Sequence, residues 1–382
     1  MSRYVDRAPF DPGDDDPIPA AQARELAISH WGLMRHRLMR HKLAVVSGVV
    51  LLALYLAAAF AEVVAPYGLT ARDVGHIYAP PQGVRIWHDG ALRAPFVYPL
   101  IYSLNRETLK REYDVDRSAP APIRFFCLGA PYKLWGFIPG RFRLVCPPRD
   151  ASMFLLGSDR LGRDMLSRIV YGTRISLTVG LVGIAVSFTL ALFFGGMAGY
   201  FGGRIDSAIQ RLIEVMRSLP ELPLWMALSA AVPVAWSPMT VYFCITIILG
   251  LLDWPGLARA IRAKLLSLRE EDYATAAQLM GARPTRIVFR HLMPNFMSHL
   301  IAALTLSIPA MILGETALSF LGLGLRPPVT SWGVLLTEAQ NIDAVILYPW
   351  IMTPMAAVVL AILAFNFFGD GLRDAADPQS HR

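Results

Sequence analysis

Apolar and polar residues fall in long blocks along this chain. Six apolar blocks, at about 43–65, 174–200, 206–232, 238–258, 297–320 and 346–369, reach the roughly 20 residues that a helix needs to cross a bilayer. Pro220 and Pro223 interrupt the third. The first ends in the small residues of "LAAAFA", as a leader peptide does. However, 42 residues precede it and its apolar run is too long for a leader, so it reads as an uncleaved span. The stretch between the first two blocks follows a different pattern. In "VRIWHDGALRAPFVY" the pair Asp89-Gly90 sits between extended-type runs, a hairpin signal. In "IRFFCLGAPYKLWGFIPGRFRLVCP", aromatic and β-branched runs are broken at Gly129-Ala130-Pro131 and Pro139-Gly140. The expectation is an all-α integral membrane protein of six transmembrane helices carrying a small β-rich insertion outside the membrane. Its expected parts are a tail with an interfacial helix (1–42), a first transmembrane helix (43–65), the insertion (66–173), a five-helix core (174–369) with a loop at 259–296, and a second tail (370–382).

Composition supports a membrane protein. Hydrophobic residues make up 54% of the chain and charged residues only 17%, too apolar for an ordinary soluble domain. The net charge of +7 comes from basic residues flanking apolar spans. No basic face carries groove-reading or stacking elements, so nucleic acid is not an expected partner. Lys and Arg in short loops set orientation. Arg35, Arg37, Arg40 and Lys42 abut the first span, and seven Lys or Arg lie between 257 and 298, whereas the loop after the fifth span has only Arg326. Both termini and the 259–296 loop are therefore expected to be cytoplasmic. Residues 1 to about 30, rich in Asp, Pro and Ala, read as disordered. Trp31, Leu33, Met34 and Leu38 then form an amphipathic segment expected at the membrane interface. Cys244 lies within a span and reads as a packing residue. Cys127 and Cys146 both fall in the insertion, and whether they bridge depends on geometry that sequence does not supply.

No phosphate-binding G-x-x-x-x-G-K-[ST] loop, H-E-x-x-H, C-x-x-C or G-x-S-x-G motif occurs. No catalytic residue, metal site or cofactor is expected, and any energy must come from a partner or an ion gradient. Three polar features stand out. In "SLREEDYATAAQLMGARPTRIVFRHLMPN", Ser267 and Glu270 have the spacing of a capping box, with Glu270, Glu271 and Asp272 in the first turn. Tyr273, Ala276, Ala277 and Met280 then share one helical face of mostly small side chains, fit for close approach by another protein. Gly281 suits the position after the helix, Pro284 the start of a second helix, and Arg286 and Arg290 lead to Pro294 at the fifth span. In "GSDRLGRDMLSRIVYGTRISL", Arg160 and Asp164, and Asp164 and Arg168, are spaced to pair on a helix at the membrane surface. Glu315 lies within an apolar span. Such a carboxylate faces the bundle interior or a water-filled cavity, either binding a proton or substrate amine or holding helices and outer loops together.

The spacing Ala276-Ala277-x3-Gly281-x12-Pro294 resembles the EAA loop of ATP-binding cassette importer permeases, with Thr275 standing where that pattern has Glu. The block containing Asp159, Gly162, Arg163, Asp164 and Arg168 resembles the G-T-D-x-x-G-R-D block of dipeptide and oligopeptide permeases, and "GETALSFLGLGLRPPVTSWG", with Glu315, is similar to the same subgroup. The insertion segments "RAPFVYPL" and "PYKLWGFIP" resemble the Yej-type oligopeptide and microcin C permeases. The resemblance covers about 31–67 and 150–377. It implies a MetI-like type I importer subunit in a bacterial inner membrane, with the insertion in the periplasm. It also implies four kinds of partner: a second homologous permease, cytoplasmic ATPase subunits, a periplasmic peptide-binding protein and membrane lipid. Coupling to the ATPase would fall to Glu270, Asp272, Tyr273, Ala276, Ala277, Gly281, Arg290 and Pro294. An ion-coupled secondary transporter is the alternative and needs convergent carboxylates at membrane depth. A membrane-embedded enzyme would need a nucleophile or acid–base cluster there.

Overall fold

The structure is a computed structural model that describes residues 30–104, 106, 111–233, 235–326 and 329–376. The tail expected over 1 to about 30 lies outside the described residues but for His30, as do the side chains of Trp31 and Leu33. Helix α1 (His30–Arg40) stops at His41, whose Nδ1 accepts a hydrogen bond from the Ala44 N–H at 3.1 Å and so caps α2 (Lys42–Ala59). A single turn, α3 (Ala61–Val64), extends this span.

The insertion contains β1 (Arg85–His88), β2 (Ala91–Val97), β3 (Leu100–Leu104), β4 (Arg111–Val115), β5 (Ala121–Pro122), β6 (Arg124–Leu134) and β7 (Ile138–Cys146). They form a three-stranded sheet ordered β1-β2-β5 and two antiparallel ribbons, β3-β4 and β6-β7. Asp89 and Gly90 both have positive φ, as a tight hairpin turn requires, and join β1 to β2. The second cysteine-bearing stretch differs from expectation. Gly129-Ala130-Pro131 is an irregularity inside β6, and the chain reverses at Trp135–Phe137, so Pro139-Gly140 lies within β7. Trp135 and Gly136 take the positive φ values that make this turn. A disulfide joins Cys127 to Cys146 across the ribbon, with Cα atoms 6.3 Å apart.

The helical core begins earlier than the apolar pattern suggested. Helix α4 (Met165–Phe201) is followed by α5 (Gly203–Ser218), α6 (Glu221–Ala230), α7 (Pro238–Leu268), α8 (Asp272–Leu279), α9 (Pro284–Arg286), a π-helical turn at Ile287–Leu292, α10 (Met293–Phe320), α11 (Trp332–Leu336), α12 (Ile342–Leu347) and α13 (Thr353–Ala376). Among the described residues five helices are long and apolar enough to cross a membrane: Lys42–Ala59, Met165–Phe201, Pro238–Leu268, Leu300–Phe320 and Pro349–Ala376. The remaining expected block, 206–232, is divided into α5 and α6. Leu219 precedes Pro220 and takes an extended ψ of 138°, because the proline ring disfavours helical geometry in the residue before it. One charge on α5 is tied inward: the Arg262 guanidinium donates Nε and Nη2 to the Asp206 carboxylate, both at 2.5 Å, joining α5 to α7.

Helices α4 and α7 pack along their length through small residues. A Cβ on Gly195 would lie 2.6 Å from the Ala258 carbonyl oxygen, and one on Gly250 2.6 Å from that of Gly183. In lipid, where apolar side chains gain little by leaving their solvent, such backbone approach is what draws helices together. Helices α10, α13 and α2 complete the bundle around a core that includes Leu177, Ile261, Leu300 and Phe365.

Arginines tie the first span to the bundle and the insertion to the first span. Arg174 of α4 forms a two-pronged pair with Glu62 of α3, at 2.8 and 2.6 Å, and donates Nε to the Ala58 carbonyl at 2.8 Å. Arg143 of β7, almost fully buried, donates to the Ala65 carbonyl at 2.5 Å. Closing a loop of 19 residues constrains the unfolded chain by about 3 kcal/mol in the loop-entropy account. Mass spectrometry of non-reduced protein should therefore yield the linked Cys127–Cys146 peptides. Cys127→Ser with Cys146→Ser should make the ribbon more susceptible to proteolysis without removing the chain from the membrane. Two free thiols in protein from oxidising membranes would contradict this.

Candidate functional site

The loop between α7 and α10 presents a short helix at one end of the bundle. The expected capping box at Ser267 and Glu270 is not formed. Helix α7 continues to Leu268, with Leu265 fully buried in the core, so burial carries the helix past Ser267; α8 starts only at Asp272, with no side-chain cap. The expected face is also divided. Ala277 points inward with Ala274, each 3% exposed, in the core cluster that holds Ile287 and Leu292. Tyr273, Ala276 and Met280 point outward and Leu279 joins them, Leu279 and Met280 being more than four-fifths exposed. The helix therefore keeps one alanine pair for its own foundation and offers a different, larger apolar surface to the outside.

Gly281 closes α8 with φ of +79°. Its N–H donates to Gln278 O at 2.9 Å, and the Ala282 N–H donates to Ala277 O at 3.1 Å, the two bonds of a Schellman turn. Pro284 opens α9, and Pro294 lies in the first turn of α10. Glu270, Asp272 and Arg290 are exposed. Thr275 lines a cleft with Tyr200, Arg269, Glu270, Ala274, Gln278 and Ile287. Arg269 reaches from this cleft to the Tyr200 carbonyl at 3.3 Å, connecting the loop to the end of α4.

At the other end of α4 the signature residues form a compact ionic centre. Asp159 is fully buried. Its Oδ1 accepts from the Leu161 and Arg163 N–H groups at 2.8 and 2.9 Å, and its Oδ2 from Arg163 Nε at 2.6 Å and from Arg168 Nη1. Arg168 thus pairs with Asp159 and not, as its spacing suggested, with Asp164. Asp164 is the N-cap of α4: its Oδ2 accepts from the Ser167 N–H at 2.8 Å and the Ser167 hydroxyl at 2.6 Å, which turns the carboxylate back over the helix start. Arg160 likewise pairs with Glu338, at 3.5 Å, instead of Asp164. Gly162 has φ of +71°, and a Cβ there would run into the Asp73 carbonyl. Burial pushes the Asp164 carboxyl up to about 6, against the opposing Ser167 hydrogen bonds, and burial raises Glu338 as well.

Glu315, fully buried near the end of α10, accepts hydrogen bonds at Oε1 from Ser319 at 2.7 Å and from Ser331 at 2.6 Å. Ser331 also caps α11. The next residue, Trp332, is fully buried and donates its backbone N–H to Ser176 Oγ at 3.1 Å and its indole N–H to Ile169 O at 3.2 Å, both on α4. The arrangement ties the segment after α10 to α4. Among the described residues no group of three His, Cys, Asp or Glu is placed to hold a metal.

Comparison with known proteins is consistent with this geometry. Residues 191–382 match the family described as "binding-protein-dependent transport system inner membrane component", and residues 29–81 match the N-terminal transmembrane domain of oligopeptide transport permease C. The chain belongs to this family of inner-membrane transport components. It is 38% identical to the dipeptide transport system permease protein DppC of Bacillus subtilis over 238 residues, 62% of this chain and 71% of that protein. It is 39% identical to the di/tripeptide transport system permease protein DppC of Pseudomonas aeruginosa, covering 62% of this chain and 77% of that one. A putative peptide permease protein of Brucella ovis is 38% identical over 294 residues, 74% of this chain and 92% of that protein.

In this permease the loop residues and the signature residues occupy opposite ends of α4, so they form two sites and not one. Sequence reasoning missed Glu338 and Trp332, whose importance comes from folding back onto α4. It also missed Asp253, a half-buried carboxylate within α7 that accepts from the Ser187 hydroxyl at 3.1 Å. Its presence inside an apolar block was a readable signal. Asp253 and Glu315 have different hydrogen-bond partners, and no shared acidic site results.

Removing Asp159 leaves Arg163 and Arg168 without their common partner. Loss of one member of a buried ionic group costs about 3 to 5 kcal/mol, so Asp159→Ala should lower the unfolding midpoint in detergent well below that of an exposed control such as Glu214→Ala. Equal midpoints would refute the buried centre. For Asp164 the sign follows from its raised value. The folded state holds the proton more tightly than the unfolded state, whose value is near 3.8. Stability from this group therefore falls as pH rises from about 4 to about 6 and is level above. Asp164→Asn, which can still cap α4, should flatten that part of the pH–stability profile measured by thermal unfolding.

Proposed function

We propose that the protein is a transmembrane subunit of an ATP-driven importer for peptides or peptide-like compounds, acting with a second permease, cytoplasmic ATPase subunits and an external peptide-binding protein. The observation that carries the coupling role is α8. It is braced from within by Ala274 and Ala277 and closed by a rigid turn, and it exposes Leu279 and Met280 as unburied apolar bulk. A loop that merely fixed topology by charge would need neither the brace nor the apolar tip. Burying two such side chains against a partner would contribute about 1.5 to 3 kcal/mol each. Family membership and the peptide-permease relatives support the transport reading; the resemblance of the insertion to Yej-type permeases supports oligopeptides or microcin C-like compounds as the substrate class.

In this reading α8 faces the cytoplasm with both termini, and the insertion lies outside. The boundaries proposed from sequence shift to match, with the insertion giving way to the core at Met165. Closure of the ATPase dimer pushes on α8, and the Arg269 contact to the end of α4 passes that displacement into the bundle. The permease positions and transmits, while hydrolysis belongs to the ATPase.

Leu279→Asp and Met280→Asp should leave membrane insertion and the unfolding midpoint unchanged while weakening ATPase co-purification and abolishing uptake of labelled peptides. Gly281→Val should weaken coupling too, because a β-branched residue is strained at positive φ. Ala277→Trp should act differently, by disrupting the loop itself. Full uptake and ATPase retention in the Leu279→Asp and Met280→Asp variants would reject the coupling role.

A further inference from the structure

The β6-β7 ribbon is a separate two-stranded sheet, and a lone two-stranded ribbon is marginally stable in water. Two contacts fix its direction relative to the first span. Its base lies near the far end of α3, where Arg143 donates to Ala65 O, and its tip lies one helical segment deeper, where the Trp135 indole donates to Ala59 O at 3.1 Å. From Ala65 to Ala59 is about 9 Å along a helix axis, so the ribbon descends beside the span as it approaches its turn. Helix α2 has 18 residues and rises about 27 Å, close to the roughly 30 Å of a bilayer's hydrocarbon layer. With the charged Lys42 held at one interface, that rise brings Ala59 to the other, with α3 beyond it, and Trp135 sits at that level with the Arg174 guanidinium 4.3 Å over its ring.

The tip is apolar where it passes this boundary. Phe137 is 72% exposed, with Trp135 and Ile138 about half exposed, and Leu56 and Phe60, which flank the Ala59 that Trp135 touches, are about half exposed too. Residues 124–146 contain no Asp or Glu. Lys133 and Arg141, both exposed, stand on the two strands just above the turn. Aromatic residues at the boundary with basic residues just outside it match the layered chemistry of hydrocarbon, carbonyl and phosphate in a leaflet.

We propose that the Trp135–Ile138 tip is a membrane anchor, inserted into the bilayer leaflet on the insertion's side, with Lys133 and Arg141 on lipid phosphates. The anchor fixes the insertion's height and tilt over the permease. This rests on α2 spanning the membrane and does not depend on peptide being the substrate.

The test uses the full-length protein, purified with its companion subunits and placed in nanodiscs, in a Cys244→Ser background that leaves the Cys127–Cys146 bridge intact. Phe137→Cys and Leu128→Cys are each labelled with a small fluorophore. Leu128 pairs with Phe142 and Leu134 with Ile138, four residues apart on β7, so position 128 lies about 13 Å back from the strand end. The expected result is stronger quenching at position 137 than at 128 by lipids carrying a nitroxide near the headgroup, and weaker quenching at 137 by aqueous iodide. Lys133→Glu combined with Arg141→Glu should reduce the lipid quenching at 137; unchanged quenching would overturn the phosphate contact. Dominant iodide quenching at 137 would overturn the anchor. So would protection from both quenchers, which would mean that a protein partner covers the tip. None of these readings requires transport, so failure here is distinct from failure of the importer reading.

Discussion

The close contact of α4 with α7 is what the rest of the structure hangs on. Gly195 and Gly250 each bring backbone against backbone, replacing lipid with protein along the bundle's longest element. With 37 residues, α4 rises about 55 Å and reaches both functional ends. At its start are Asp164, Arg168 and the buried Asp159; at its end the Tyr200 carbonyl receives Arg269 from the loop that carries α8. A rod held this firmly by its neighbour has few ways to bend.

Charge in this protein is handled by position and pairing. Arg174 spans Glu62 and two carbonyls of the first span, Arg262 grips Asp206, and Asp159 takes two guanidiniums. A charge near a membrane is costly alone and tolerable when its hydrogen-bonding capacity is filled. The Arg174–Glu62 and Arg262–Asp206 pairs join residues 112 and 56 positions apart, so they also specify which helices meet. Glu315 meets that condition only in part: its Oε1 accepts from two serine hydroxyls, one on its own helix and one at the head of α11, while its Oε2 is buried with no hydrogen-bond partner.

The two ends of the molecule use apolar surface in opposite ways. On α8, Leu279 and Met280 stand out from a braced helix, a surface fit for a protein partner. On the insertion, the Trp135–Ile138 tip, as a membrane anchor, would meet lipid. What separates the two is contact with the first span, which the hydrogen bond from Trp135 to Ala59 makes.

Sequence alone determined what depends on composition and short-range periodicity: the apolar spans, the Asp89-Gly90 hairpin, the glycine that ends α8 and the prolines that divide the third block. Each is settled within a few residues, by the length of an apolar run, by a φ that glycine tolerates readily, or by a proline ring that bars helical geometry in the residue before it. Tertiary structure decided which way polar groups turn. Asp164 and Arg168 have the spacing of a helical pair, yet the helix begins at Asp164 and takes its carboxylate as a cap, which sends Arg168 to Asp159. Ser267 has the spacing of a cap, yet burial of Leu265 keeps it inside α7. Ala277 has the spacing of a docking residue, yet the loop needs it for its own packing. In every case a local hydrogen bond or face competed with burial or with a partner distant in the chain, and spacing along one helix carries no information about that competitor.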